Sequence, residues 1–264
     1  MIKLIATDMD GTFLRADKSY DRELFAKALA LMEEHGVKFV VASGNQFKNL
    51  KSRFPGVSDR LYYIAENGGL IAHGHEIVQE NTLSKKQVAE ASQLSAEHPN
   101  VLTIWAGAKA AYVRKRDGQA FYDEMSRFFN DLKMVDEFPL DQDRFFKMTF
   151  VIHAGGVSQI ASQMKKEFPD LGFVCGSAVS IDVARPDLNK AAGLKYFHDR
   201  FGIQPSEMVA FGDSGNDIAM LKYAGTSFVT GTAMPEAKQA ADCVLASSEE
   251  SAVQNKIIEL LSRN

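Results

Sequence analysis

The chain has 264 residues, 45% hydrophobic and 24% charged, with 30 Lys and Arg against 34 Asp and Glu. This is the balance of a soluble globular protein of one large or two modest domains, and the net charge of −4 argues against nucleic acid or an anionic membrane surface as partner. No stretch approaches the ~20 apolar residues that span a bilayer, no cationic leader opens the chain, and Cys175 and Cys243 read as small core residues in a reducing, cytoplasmic setting.

The first apolar run, residues 2–7, reads as a buried strand that delivers Asp8-Met9-Asp10-Gly11-Thr12. Two carboxylates with one residue between them, where a strand gives way to a turn, are expected to point different ways. One can act as nucleophile and metal ligand while the other serves as acid and base. The bland alternative is an acidic turn, since Asp, Gly and Thr are all common turn residues. A helix over 21–35 follows, with Leu24, Ala28, Leu31 and Met32 at helical spacing and Gly36 closing it. Strand 37–42 then runs into Ser43-Gly44-Asn45, whose hydroxyl and amides at a helix start suit a phosphate oxygen, although Ser43 is equally placed to cap that helix. The helix ends at Pro55-Gly56. Strand 61–65 and a hairpin with its tip at His73-Gly74-His75 complete a first α/β series; without a second ligand cluster, His73 and His75 are not assigned to a metal.

From about residue 84 to 185 the rhythm changes. Helix 84–97, strands 101–106 and 110–114, a helix over 119–129, strand 147–152, helix 156–168 and strands 173–175 and 179–183 predict a mixed or antiparallel sheet covered by helices on one face. Trp105, Phe145, Phe146 and Phe150 read as the core of this unit, and Lys85-Lys86 and Arg114-Lys115-Arg116 as solvated faces. The α/β rhythm resumes with Asn189-Lys190, opening a helix after Pro186. Strand 208–211 then ends in Gly212-Asp213-Ser214-Gly215-Asn216-Asp217 ahead of helix 218–223. Strands buried on both faces and separated by helices predict a doubly wound parallel sheet, whose ligands bind beyond the strands' carboxyl ends, where every motif above lies. Two acidic strand ends converging on one site suit Mg²⁺, which takes few carboxylates and completes its octahedron with waters and phosphate.

In content and order these segments resemble the haloacid dehalogenase-like phosphatases, specifically the Cof-type sugar phosphatases. Asp8-Met9-Asp10-Gly11-Thr12, Val41-Ala42-Ser43-Gly44-Asn45, Leu188-Asn189-Lys190 with Gly193, and Gly212 to Asp217 carry the resemblance, and Ala65-Glu66-Asn67-Gly68-Gly69 resembles a further recurrent segment. The resemblance implies a Rossmann-like core discontinuous over residues 1–83 and 186–264, with an α+β cap domain inserted at 84–185. It implies Asp8 as nucleophile, Asp10 as acid and base, and Lys190 as the charge partner of Asp8. Met9, Ser43, Gly44, Asn189, Lys190 and Asn216 would bind phosphate. Asp8, Asp10 through its carbonyl, and Asp213 would hold Mg²⁺, with Asp217 either a further ligand or the group orienting a metal-bound water. Many relatives carry Arg where this chain has Asn45, so a cation beside the phosphate is lost.

The expected activity is hydrolysis of small phosphorylated metabolites, sugar phosphates above all, through an aspartyl-phosphate, by a monomer or small homo-oligomer. Two rivals share some of the motifs: a sugar phosphomutase, which would return the phosphoryl group, and a non-enzymatic switch that uses Asp8 as phosphoacceptor. Selectivity among substrates is expected from the inserted unit, near the hairpin at 176–179 and polar residues around Lys147.

Overall fold

A computed structural model describes residues 1–177 and 179–262. The strands are β1 (Leu4–Thr7), β2 (Lys38–Ala42), β3 (Tyr62–Ala65), β4 (Leu70–His73), β5 (Glu76–Glu80), β6 (Leu102–Gly107), β7 (Ala111–Arg114), β8 (Leu132–Val135), β9 (Phe145–Val151), β10 (Gly172–Ser177), β11 (Ser180–Ala184), β12 (Met208–Gly212), β13 (Thr226–Val229) and β14 (Cys243–Val244). The helices are α1 (Arg22–Glu34), α2 (Phe47–Ser52), α3 (Lys85–Glu97), α4 (Gln119–Met125), α5 (Val157–Glu167), α6 (Lys190–Phe201), α7 (Ile218–Tyr223), α8 (Pro235–Ala240) and α9 (Ala252–Ser262).

Eight strands form one sheet in the order β14-β13-β12-β1-β2-β3-β4-β5. It is parallel from β14 to β3 and antiparallel over the last two strands, where the hairpin was expected. Successive side chains of its central strands pack on opposite faces. Ile5, Val41, Tyr63, Val209 and Phe211 join α1 and α9 on one side, and Leu4, Ala6, Val40, Ala42, Ile64 and Ala210 join α6, α7 and α8 on the other. This is the doubly wound α/β core that the run of buried strands predicts.

The six remaining strands form a second sheet, β10-β11-β9-β6-β7-β8, antiparallel except for the parallel pair β7 and β8. Helices cover both of its faces, not one as expected. α3 and α5 pack with Trp105, Met148 and Phe150, whereas α4 packs on the other face with Ile104, Val113 and Val151. Alternation along β9 therefore puts Lys147 and Thr149 on the α4 face. α4 stops at Met125, short of the predicted end, and the Ser126 hydroxyl turns back to the Asp123 carbonyl (2.8 Å).

Three further expectations are corrected. Cys175 and Cys243 are exposed, because one lies on the outermost strand of the second sheet and the other on the short outermost strand of the first. Arg114 is buried, its guanidinium over the Phe138 ring (5.2 Å) and 3.5 Å from Asp117. Phe146 is buried as predicted, but it packs into the core beneath the eight-stranded sheet rather than into the second unit, while Trp105, Phe145 and Phe150 stay there. His73 stacks on Tyr62 with ring centroids 4.1 Å apart, and His75 pairs with Asp59.

Candidate active site

The loop after β1 is anchored from below. Phe13 follows Thr12 directly and packs against Tyr20, Phe25, Phe39 and Phe54 with ring centroids 5.1–5.9 Å apart, each such pair contributing about 0.5–1.5 kcal/mol beyond its buried area. Gly11 has φ +82°, and a Cβ there would lie 2.5 Å from Asp213 Oδ2. The positive φ favours glycine, and any side chain there would displace the Asp213 carboxylate. The Thr12 hydroxyl then donates to Asp213 Oδ1 (2.9 Å) and fixes its carboxylate.

Asp8 and Asp10 point different ways because the chain leaves β1 after Thr7; continued strand alternation would have put residues two apart on one face. Asp8 is buried and accepts a hydrogen bond from Lys190 Nζ at 2.5 Å. Asp10 faces solvent, where Lys18 (2.7 Å) and the Asn45 amide (3.0 Å) hold its two oxygens. Lys190 is fully buried in the first turn of α6, whose start Asn189 caps by accepting from the Ala192 amide (2.9 Å). A cation at a helix N-terminus opposes the helix dipole, so its place depends on Asp8 and on Asp217 Oδ1 at 2.6 Å. Burial disfavours the ammonium, yet these two carboxylates outweigh that and hold it above the usual lysine range. The other oxygen of Asp217 takes the amides of Asp213 and Ser214 (3.0 Å each) and so shapes the loop after β12.

One ammonium thus faces three carboxylates. Oxygens of Asp8, Asp213 and Asp217 lie within 4.8 Å of one another. Burial, and the neighbouring Asp217 and Asp213, push the Asp8 carboxyl well above its ordinary range despite Lys190. Burial and Asp217 raise Asp213 to about 6. Uncompensated negative charge among hard oxygen donors is the condition a divalent cation relieves, so these residues fit one.

The cluster opens into a cleft of about 580 Å³ between the two sheets. Asp8, Asp10, Ser43, Gly44, Asp213 and Asn216 line it. Of the other predicted residues, Lys190 and Asp217 are buried behind it, the Met9 side chain belongs to the core, and Asn189 serves as helix cap. From the second sheet come Lys147, Thr149, Val179, Ser180 and Asp182, and an apolar wall of Ile104, Met125, Phe128, Phe129 and Val151. The expected hairpin at 176–179 contributes Val179; Ala178 lies outside the described residues.

Sequence reasoning gave no role to Glu66, Asn67, Thr149, Asp182 or Phe128. One signal was present. Lys147 and Thr149 are the polar positions of an otherwise apolar strand, and a buried lysine requires a carboxylate partner. Asp182 supplies it: it lies opposite Thr149 in register and accepts from Lys147 Nζ (2.8 Å) and the Thr149 hydroxyl (2.7 Å).

A strand-end aspartate backed by a buried lysine, with a second acidic strand end beside it and Ser43 and Gly44 across the cleft, all at the carboxyl edge of a doubly wound sheet, is an arrangement suited to phosphoryl chemistry. The profile of the haloacid dehalogenase-like hydrolases matches residues 5–257, and the chain belongs to that family. It is 38% identical over 228 residues to the Escherichia coli 5-amino-6-(5-phospho-D-ribitylamino)uracil phosphatase YbjI, covering 86% of this chain and 84% of that one. The fold matches SMU.1108c of Streptococcus mutans with a TM-score of 0.93 at 32% identity, over 99% of this chain and 100% of the other. It also matches a haloacid dehalogenase subclass IIB sugar phosphatase with a TM-score of 0.82 at 22% identity, over 98% of each chain. The corresponding enzyme class is phosphoric monoester hydrolase. No helix among the described residues is long and apolar enough to cross a membrane.

Proposed function

We propose that the chain is a Mg²⁺-dependent phosphatase of small phosphorylated metabolites, acting through an aspartyl-phosphate on Asp8, with residues 84–185 as the cap over residues 1–83 and 186–264. The observation that carries this reading is the placing of Asp8 against Lys190, with Asp213 beside it and Asp10 on the open side of the same cleft. Ser43, Gly44 and Asn216 would receive phosphate oxygens, and at Met9 the contact would be main-chain. Asp8, the Asp10 carbonyl and Asp213 would hold Mg²⁺. Asp217 would orient, because one of its oxygens is taken by Lys190 and the other by two amides. When bound, the ion supplies charge compensation for Asp8 and the phosphoryl oxygens.

The Asp8 carboxylate attacks phosphorus as the ester P–O bond breaks, and Asp10 gives its proton to the departing alkoxide. Asp10 then takes a proton from water, the water oxygen bonds to phosphorus, and the acyl-phosphate bond breaks to return Asp8 and free phosphate. Lys190 offsets charge on Asp8 before attack and on the transferring oxygens during it. An acid and base at the second position favours rapid hydrolysis over a stored phosphoenzyme, which argues against the phosphoacceptor switch, and release of phosphate to water separates this enzyme from a phosphomutase.

Sugar and alditol phosphates are the first substrate class, with the remaining acceptor capacity of the Thr149 and Asp182 oxygens on the cleft wall offered to hydroxyls, the Lys147 ammonium being held by Gly44, Glu66 and Asp182. The apolar wall supports a second class, in which the phosphorylated polyol carries a flat ring. Phe128 is 51% exposed and, with Ile104, Met125, Phe129 and Val151, offers ring contact and no hydrogen bonds. The substrate named for the E. coli relative is of this kind. The enzyme would work in the cytoplasm as a monomer or small homo-oligomer, without nucleic acid or membrane. Phosphate release from both classes, with Mg²⁺ and with EDTA, tests the reading. Metal-dependent turnover of either class is expected, and no turnover of any ester, or full turnover after chelation, overturns it.

A further inference from the structure

The loop Glu66-Asn67-Gly68 follows β3 and has no part in the chemistry above. Its backbone is left-handed at three successive residues, with φ of +50°, +52° and +100°. Two of these are not glycine, and such strain persists only where the surroundings over-determine it. Here they do. The Glu66 amide donates to the Asn45 carbonyl (3.2 Å) and the Asn67 amide to the Ser43 carbonyl (3.0 Å), both in the loop assigned to phosphate. Asn67 Oδ1 accepts from the side-chain amide of Asn216 (3.3 Å), in the loop after β12. Gly68 packs on the start of α6 so closely that a Cβ there would lie 2.6 Å from the Asn189 carbonyl oxygen. One three-residue piece therefore touches three of the four motif loops.

The same loop reaches the second sheet through an ionic contact. Lys147 Nζ lies 3.2 Å from Glu66 Oε2, 2.9 Å from the Gly44 carbonyl oxygen and 2.8 Å from Asp182 Oδ2. The ammonium donates hydrogen bonds to the Gly44 carbonyl and to Asp182, and it faces Glu66 Oε2 as an ion pair outside hydrogen-bond geometry, so two of its three partners are on the core. Lys147, Glu66 and Asp182 are each more than nine-tenths buried. Asp182 shares a sheet with Lys147, so that pair is independent of how the two sheets sit. The contacts to Glu66 and Gly44 exist only with the second sheet seated on the first.

We propose that Glu66 and Lys147 are positioning residues: with the second sheet seated over the cleft, Lys147 clamps Glu66 and Gly44, and the 66–68 loop transmits that clamp to the loops that receive phosphate. This rests on the phosphatase reading, since it assigns Ser43, Gly44 and Asn216 to the phosphate. The physical basis is that a bound anion needs its donors held within a fraction of an ångström, and donors on separate loops require a shared support.

The test measures binding of inorganic phosphate to the Mg²⁺-treated full-length protein by calorimetry, alongside kcat and KM on whichever ester the wild type hydrolyses. Glu66→Gln removes a negative charge near an anion site, so Coulomb attraction alone predicts tighter phosphate binding. The positioning role predicts the opposite sign: phosphate binding weaker by about tenfold, a step equal to one decade in Kd, with kcat lowered as well. Glu66→Asp keeps the charge but shortens the reach to Lys147. It should weaken phosphate in the same direction, and it replaces the Gln variant if that does not fold. Adding Lys147→Met to Glu66→Gln should cost little beyond Lys147→Met alone, because both break one clamp. Phosphate bound as tightly or more tightly by the Glu66 variants, or independent losses in the double variant, overturns the proposal. A wild type that binds phosphate but hydrolyses no ester sinks the functional reading while the binding comparison still decides this one; a wild type that binds no phosphate sinks both.

Discussion

Replacing Lys190 by Met removes the one ammonium that, among the described residues, pairs with Asp8 and Asp217 and leaves their carboxylates close to that of Asp213. The side chains of Lys190 and Asp217 have no solvent exposure and Asp8 has 8%, so water cannot make good the loss. Removing one partner of a buried ion pair costs about 3–5 kcal/mol. In a chain of this size each kcal/mol moves Tm by roughly 2–4 °C, which sets the expected drop at about 10 °C. The loss should depend on pH in a defined sense. Asp8 and Asp213 already have raised folded-state pKa values, Asp213 at about 6 against 3.8 unperturbed. A carboxylate raised on folding is stabilising below its unfolded pKa, and that contribution fades as pH rises through its folded pKa. Without Lys190 both should rise further, so the gap between wild type and variant should be widest near pH 8 and narrow toward pH 5. Thermal unfolding of EDTA-treated protein at both pH values reads this directly. A Tm loss below about 2 °C at pH 8, or a gap that widens on acidification, refutes the assignment of Lys190 as counter-charge to the cluster.

Other outcomes follow from the same geometry. Asp10→Asn should depress turnover of a sugar phosphate by at least about a hundredfold and that of p-nitrophenyl phosphate by less, since nitrophenolate leaves unprotonated; equal losses in the two assays would limit Asp10 to the water step or to structure. Asp213→Ala should raise the Mg²⁺ concentration for half-maximal rate by about tenfold or more, read from metal titrations, and Ca²⁺ should replace Mg²⁺ poorly. Gly68→Ala should lower Tm and activity together, because its Cβ meets the Asn189 carbonyl at 2.6 Å with φ at +100°; an unchanged melting curve would mean that α6 shifts freely there.

Much of the site was legible because its chemistry sits at strand ends. The turn after Thr7 separates Asp8 from Asp10, which strand alternation would have kept on one face, and the parallel pairing of β1 with β12 brings Asp213 to Asp8. The doubly wound core follows from strands apolar on both faces. The second sheet was less legible for a physical reason: periodicity gives each element's buried face but not which side of the sheet receives it. The placement of α4 opposite α3 and α5 was thus missed, and with it the apolar wall of the cleft. Strand β8 was missed because its burial is uneven, one buried position followed by exposed and half-buried ones. Exposure of the cysteines depends on sheet edges, and Arg114 is buried through partners, Asp117 and Phe138, that local composition does not disclose. Glu66 could be seen as part of a recurrent segment, but its contact with Lys147 spans 81 positions and needs both sheets in place.

The central claim is that phosphorus bonds to Asp8, and trapping that bond tests it most directly. Asp10→Asn protein, slowed at the water step, is mixed with Mg²⁺ and a substrate of good leaving group, quenched in acid, reduced with borohydride and mapped by peptide mass spectrometry. An acyl phosphate at Asp8 is reduced to the homoserine alcohol, so the peptide carrying residue 8 should show that conversion, dependent on substrate and absent from Asp8→Asn. Turnover without any conversion at Asp8, or conversion at another carboxylate, contradicts the account.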